Sequence, residues 1–272
     1  MILFQDTNIT IFQSSLFQTN SIVVHTEDLV MVVDPGWLPA EIKQIQKYVN
    51  DIRNGRPLYV FYTHSDYDHI IGHGAFPEAK IISSDSFARK KDKEKVIEQI
   101  LRFDDSYYIE RDYQISFPEP DIIIKEDGQS LTAGHTSLFF YLTPGHTECS
   151  AACLVEPGGI LIAGDYLAEV EFPYIYHSSY QYEQTLSKFK KALLNPYEIH
   201  MLIPGHGPAA DSKLEIEARR SASLRYIEQL RGLVQENKID QSYNLISGYP
   251  FPGIMNKFHE GNIQLIKEEL TR

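Results

Sequence analysis

Cysteine is scarce: only Cys149 and Cys153 occur in 272 residues. They lie four apart in the apolar stretch "TECSAACLV", too close in a strand for a disulfide and too few for a structural zinc knuckle, and read as reduced core thiols. Positive charge is also short. Against 37 Asp and Glu there are 25 Lys and Arg, a net charge of −12, and the basic residues form no stripe of the kind that tracks a phosphate backbone. Nucleic acid is therefore not an expected partner. No apolar run approaches the length of a membrane span, and "MILFQDTNIT" has neither the basic region nor the apolar core of a signal peptide. The expectation is a soluble, cytoplasmic protein with a small-molecule substrate and no membrane partner. Repeats, low-complexity tracts and Pro/Gly/Ser linkers are missing too, which predicts one domain over residues 1–272. A monomer and a homodimer are both compatible with it.

What is present is an ordinary globular composition, 43% hydrophobic and 23% charged. "ITIFQS", "SIVVHT" and "LVMVVDPG" read as three short strands of an antiparallel meander. Apolar residues at helical spacing predict a helix over Pro39 to Asp51, and "LYVFYT" predicts the next strand. A periodic charged stretch predicts a helix over Asp85 to Phe103. Residues 121–147 read as strand, turn, strand. "GILIAGD" and "IHMLIPGHG" read as strands separated by a helix over Glu183 to Leu194; a second long helix follows over Ser212 to Gln235, and a short one ends the chain. Strands and helices alternating after a β-rich start are the pattern of a layered α/β protein.

Four of the apolar strands run into small polar clusters. "LYVFYT" leads to His64-Ser65-Asp66-Tyr67-Asp68-His69, "LFFYLTP" to Gly145-His146, "GILIAG" to Asp165, and "IHMLIP" to Gly205-His206. Strand ends on one edge of a sheet are where α/β proteins gather functional loops. Four histidines and three aspartates supply seven borderline and hard donors, enough for two metal ions sharing an oxygen ligand.

These clusters, in this order, resemble the metallo-β-lactamase superfamily of metal-dependent hydrolases. The family run H-x-H-x-D-H is matched by H-S-D-Y-D-H, and "TPGHT", "AGD" and "PGHG" match its later ligands. "DPG" at Asp34 to Gly36 matches its early acidic turn, which supports the metal site from behind the ligands. The resemblance implies an αββα sandwich of two mixed β-sheets with outer helices. It further implies that His64, Asp66 and His146 hold one divalent metal, that Asp68, His69 and His206 hold the other, and that Asp165 bridges them. The hydroxide between the metals would be the nucleophile, with Asp68 as the catalytic residue that orients it or passes its proton to the leaving group.

Asp66 departs from the family pattern, which has histidine there. Its carboxylate raises the anionic donors from two to three, which favours iron or manganese over zinc and makes the bridging water less acidic. The flavodiiron branch of the superfamily also has a carboxylate at this position, a glutamate. An alternative reading is therefore a di-iron protein that binds or reduces oxygen or nitric oxide, although that branch normally carries a flavodoxin-like domain that this sequence does not match. A second alternative is a degenerate member with a weakened first site and a binding or sensing role.

Substrate contacts are expected from the loop "YLAEVEFPYIYHSSYQY", where Tyr174 and Tyr176 offer flat walls and hydroxyls. An aspartate, not a cysteine, at position 165 points within the family to the lactonase, thioesterase and phosphodiesterase branches. His25, His73, His135, His200 and His259 read as structural or solvated. Trp37 reads as a partly buried aromatic at a loop base, and Lys188, Lys190, Lys191, Arg219 and Arg220 as solvated helix faces.

Overall fold

The opening strands pair as their alternation of apolar runs and polar turns predicts. In the computed structural model, which describes residues 1–194 and 197–271, β1 (Ile2–Gln5), β2 (Ile9–Gln13), β3 (Asn20–His25) and β4 (Val30–Val33) form an antiparallel meander. All four residues of β4 are buried, and each such Val side chain contributes roughly 1.5–3 kcal/mol to the folded state.

Helix α1 (Pro39–Arg53) carries the chain to β5 (Leu58–Phe61), parallel to β4. Pro39 opens it, Glu41 Oε2 accepts the Leu38 N–H, and Ile42, Ile45 and Val49 bury one face. The single turn α2 (Tyr67–Ile70) follows β5. Next come β6 (Lys80–Ser84), α3 (Asp85–Ala88), α4 (Lys93–Ser106) and β7 (Ile122–Ile124), with β6 and β7 extending the sheet in parallel to a seven-stranded order β1 to β7.

Three points of the sequence reading before residue 147 need correction. The helix over 85–103 is two helices, because Phe87 and Val96 both bury. Nine residues of one continuous helix would set them about 180° apart, so the break lets each face the core. The reading of 121–147 as two strands misses one, since β7 ends before the hairpin of β8 (Gln129–Ala133) and β9 (Thr136–Leu142). Strands β1 and β6 were not anticipated, being short and mixed in polarity.

β10 (Ala151–Glu156) pairs antiparallel with β9 and carries the fully buried Cys153. Both cysteines are free and buried, as expected. The chain forms two compact units: Met1–Leu142 with Ala151–Pro157, and Thr143–Ser150 with the residues from Gly158 onward. It passes from one to the other three times, so no single linker composition could mark a boundary.

In the second unit β11 (Ile160–Ile162) pairs in parallel with β12 (Met201–Ile203). The helices are α5 (Ser179–Leu194), α6 (Lys213–Gln235), α7 (Ile239–Ser242) and α8 (Pro252–Leu270). The final helix, expected to be short, is 19 residues long. Arg219 and Arg220 are buried rather than solvated: Arg219 donates to the Pro208 carbonyl at 2.9 Å and Arg220 pairs with Glu217. Carbonyls and carboxylates engage most of the donors of these charged heads, which offsets the cost of burying them. No helix among the described residues is long and apolar enough to cross a membrane.

His259 lies at the centre of this unit's polar interior. Asn262 Nδ2 donates to the Tyr226 hydroxyl (2.9 Å), which donates to His259 Nδ1 (2.8 Å). His259 Nε2 then donates to Ser242 Oγ (2.8 Å), and Ser242 donates to the Ile239 carbonyl (2.6 Å). Every member is satisfied only while the imidazole is neutral, and burial lowers its pKa from 6.5 to about 4. The unfolded chain takes up this proton first, so stability falls as pH drops from 6.5 towards 4. The loss between about pH 7 and about pH 4.5 is on the order of 2 kcal/mol, discounted for partial solvent screening. Urea unfolding should show a loss smaller by that amount in His259→Gln, which cannot titrate; equal losses in the two proteins would refute the assignment.

Candidate metal centre

β4 and β5 end side by side, and the first unit's donors are built on those two ends. The Asp34 N–H donates to the Phe61 carbonyl at 3.1 Å, and its carboxylate, 2% exposed, turns towards residues 63–69. Oδ1 accepts the Thr63 N–H at 2.9 Å, while Oδ2 accepts the Thr63 hydroxyl at 2.5 Å and His69 Nδ1 at 2.9 Å. Because the Thr63 hydrogen is spent on Asp34, its oxygen accepts from His64 Nδ1 at 2.9 Å. One buried carboxylate thus sets two histidines in the tautomer that carries its lone pair on Nε2.

The two rings lie 4.1 Å apart, centroid to centroid. His69 Nε2 is 3.4 Å from Asp68 Oδ2, and His64 Nε2 is 3.7 Å from Asp66 Oδ2. Between the two aspartates, Tyr67 has its pKa pushed up to about 12 by burial and by both carboxylates, so its hydroxyl stays protonated. Backbones meet closely here: a Cβ on Gly36 would stand 2.6 Å from the Asp68 carbonyl oxygen, and one on Gly72 would stand 2.2 Å from that of Pro35. Ser21 braces the turn by donating to the Asp34 carbonyl and accepting the Gly36 N–H, both at 2.9 Å. Trp37, expected to be partly buried, is wholly so, with Nε1 donating to Thr19 at 2.7 Å.

In the second unit the donors stand at the ends of β11 and β12 and on the turn at residues 143–147. The His146 N–H donates to the Tyr166 hydroxyl at 3.0 Å, which donates to the Thr143 carbonyl at 2.8 Å. Burial pushes the Tyr166 pKa far up, so it remains a donor. His146 Nδ1 donates to the Tyr174 carbonyl at 2.6 Å, again placing the lone pair on Nε2. Asp165 Oδ2 lies 3.3 Å from His146 Nε2 and 3.3 Å from His206 Nε2. Glu171 joins them: one donor atom each from Asp165, Glu171 and His206 lies within 4.8 Å of the others. Tyr174 and Tyr176 flank His146 with ring centroids at 6.4 and 5.2 Å.

Thus each unit gathers its own share of the seven expected donors. Thr63, Tyr166 and Glu171 were missed. Thr63 and Tyr166 directly neighbour the motifs, whereas Glu171 sits in a loop with no spacing signal. The donor set suits a borderline or hard cation. Ligand atoms about 2.0–2.1 Å from a tetrahedral ion lie about 3.3–3.4 Å from one another, the separation found for three of the four pairs of an imidazole Nε2 with a carboxylate. The fourth, at Asp66, is wider.

A model of the metallo-beta-lactamase superfamily matches residues 15–206, more than half of the sequence. The chain belongs to that superfamily. Among relatives, it is 25% identical over 195 residues to the probable metallo-hydrolase YqgX of Bacillus subtilis, covering 71% of this chain and 87% of that protein. Solved metallo-β-lactamase structures share its fold. A metallo-beta-lactamase from Pontibacter korlensis aligns at TM-score 0.60 and 16% identity over 83% of this chain and 98% of its own. An archaeal metallo-beta-lactamase superfamily protein from Sulfolobus tokodaii aligns at 0.56 and 18% over 97% and 100%. The expected fold class, a sandwich of two mixed sheets with outer helices, is therefore the observed one.

Within this superfamily member, Asp34 is the group whose loss should be felt without removing a donor atom. Asp34→Asn keeps the volume but offers one acceptor oxygen where the carboxylate offers two. Competition with a chromophoric chelator should then show metal affinity lowered about 10- to 100-fold. Affinity equal to that of the wild type would show that the histidines hold their orientation without it.

Proposed function

We propose that the chain is a dinuclear metal hydrolase acting on a small ester-like substrate: a lactone, thioester or phosphoester. The observation that carries this reading is the anchoring of His64, His69 and His146 through Nδ1 to acceptors. Such anchoring aims Nε2 as metal-binding imidazoles require, and family order supports His64, Asp66, Asp68, His69, His146, Asp165 and His206 as the ligands. Two divalent ions held there would supply an activated water and polarise the substrate's carbonyl or phosphoryl oxygen.

The chain's own groups do the rest. Asp68, partly exposed beside the wholly buried His69, would orient the attacking water and pass a proton to the leaving group. Tyr176, 53% exposed, offers a flat wall for the substrate. The charge of −12 disfavours polyanionic substrates and fits a small neutral or singly charged one. Asp66 and Glu171 add carboxylates to the two expected of the family, which tilts preference towards iron or manganese.

Elemental analysis of protein from cells supplied with zinc, iron and manganese together, followed by a panel of esters, lactones and thioesters, tests this reading. Two ions per chain are expected, mainly iron or manganese, with turnover that falls at least about 100-fold in His69→Ala. Asp66→His should keep two ions and shift preference towards zinc. Two irons with oxo-bridge absorption and no hydrolysis would favour the oxygen- or nitric-oxide-reducing alternative suggested by the extra carboxylates. Neither metal nor turnover would leave a binding or sensing role.

A further inference from the structure

One face of α8 holds the segment that supplies the hydrogen-bond partner of His146. Asn262, wholly buried, donates from Nδ2 to the Pro173 carbonyl at 2.6 Å and accepts the Ile175 N–H on Oδ1 at 2.9 Å. A donor bond on one side and an acceptor bond on the other fix the amide's orientation and pin the backbone on both sides of Tyr174. Four residues earlier on the helix, Phe258 stacks on the Tyr174 ring at 4.2 Å and 19°. At Gly261 an added Cβ would come within 3.2 Å of Tyr174 Cε2, so the absent side chain makes the seat for that ring. Further along, Glu269 Oε1 accepts both the Ser178 hydroxyl and the Ser179 N–H at 2.9 Å.

The segment held at these points in turn grips the metal-site turn through its backbone. The Tyr174 carbonyl accepts from His146 Nδ1, the Tyr176 N–H donates to the His146 carbonyl at 2.8 Å, and the Ser178 N–H donates to that of Gly145 at 3.1 Å. A carbonyl can fix a ring only as firmly as its own backbone is fixed, and three of the helix's anchors converge on Tyr174.

We infer that α8 is the positioning element for His146. With Asn262 as its pin and Phe258 and Gly261 as the seat of Tyr174, it sets the tautomer and orientation of this imidazole, and so how tightly its ion is held. The inference rests on the reading of His146 as a ligand. Asn262 is a positioning residue and touches no substrate.

The test compares metal affinity, by chelator competition, and the ring nitrogen signals of His146, by 15N NMR, in Asn262→Ala, Gly261→Ala, Ser242→Ala and His146→Ala. Asn262→Ala and Gly261→Ala should each weaken one of the two ions about tenfold and move His146 from a single tautomer to a mixture. Alanine suits a helix interior better than glycine, so Gly261→Ala should stay folded and decides the matter if Asn262→Ala does not fold. Ser242→Ala cuts the far end of the same buried network; it should lower stability and leave affinity unchanged, which separates positioning from general loosening. Wild-type affinity and tautomer in both helix variants, while His146→Ala loses an ion, would overturn the inference alone. Retention of both ions by His146→Ala would instead remove His146 from the ligands, and the inference with it.

Discussion

A buried carboxylate, Asp34, is the constraint on which the first unit's cluster of donors depends. An ionised group inside a protein is costly unless its oxygens are fully engaged. Here the engagement comes from the backbone and hydroxyl of Thr63 and from the ring of His69. Satisfying Asp34 and orienting two histidines are therefore one event. The glycines at 36 and 72 belong to the same constraint, since the early turn and the ligand turn must approach backbone to backbone for the carboxylate to reach.

The second unit solves the same problem with a different acceptor. His146 donates to a neutral carbonyl, whereas His69 donates to a carboxylate. A charged acceptor raises ligand basicity more than a neutral one, so the two imidazoles are not electronically equivalent donors. The carboxylate acts through its own charge, while the carbonyl depends on the backbone that carries it. That difference makes buried packing far along the chain, at residues 258–269, relevant to His146.

Much of the fold was legible locally. Alternation over Ile9–Val33 predicted the meander, and helical spacing over Ile42, Ile45 and Val49 predicted α1, because each pattern reports a buried face within one element. The break between α3 and α4 was not legible. Phe87 and Val96 are both apolar, and only the direction of the core tells which faces must bury. Arg219 and Arg220 misled for a related reason: a guanidinium reads as solvated until carbonyls and carboxylates surround it. Glu171 carried no motif, since its neighbours Asp165 and His206 come to it through the fold.

By itself the sequence determined the superfamily and singled out the candidate donors. Motif residues lie within a few positions of one another at strand ends, so their spacing survives without any knowledge of packing. Tertiary structure alone decided how those donors are held. For His69 and His146 the hydrogen bonds that select the tautomer join residues far apart in the chain: Asp34 to His69, His146 to Tyr174, and Asn262 to the backbone around Tyr174. A tautomer is chosen by the partner of the second ring nitrogen, and for these two rings that partner is supplied by the folded chain rather than by the motif.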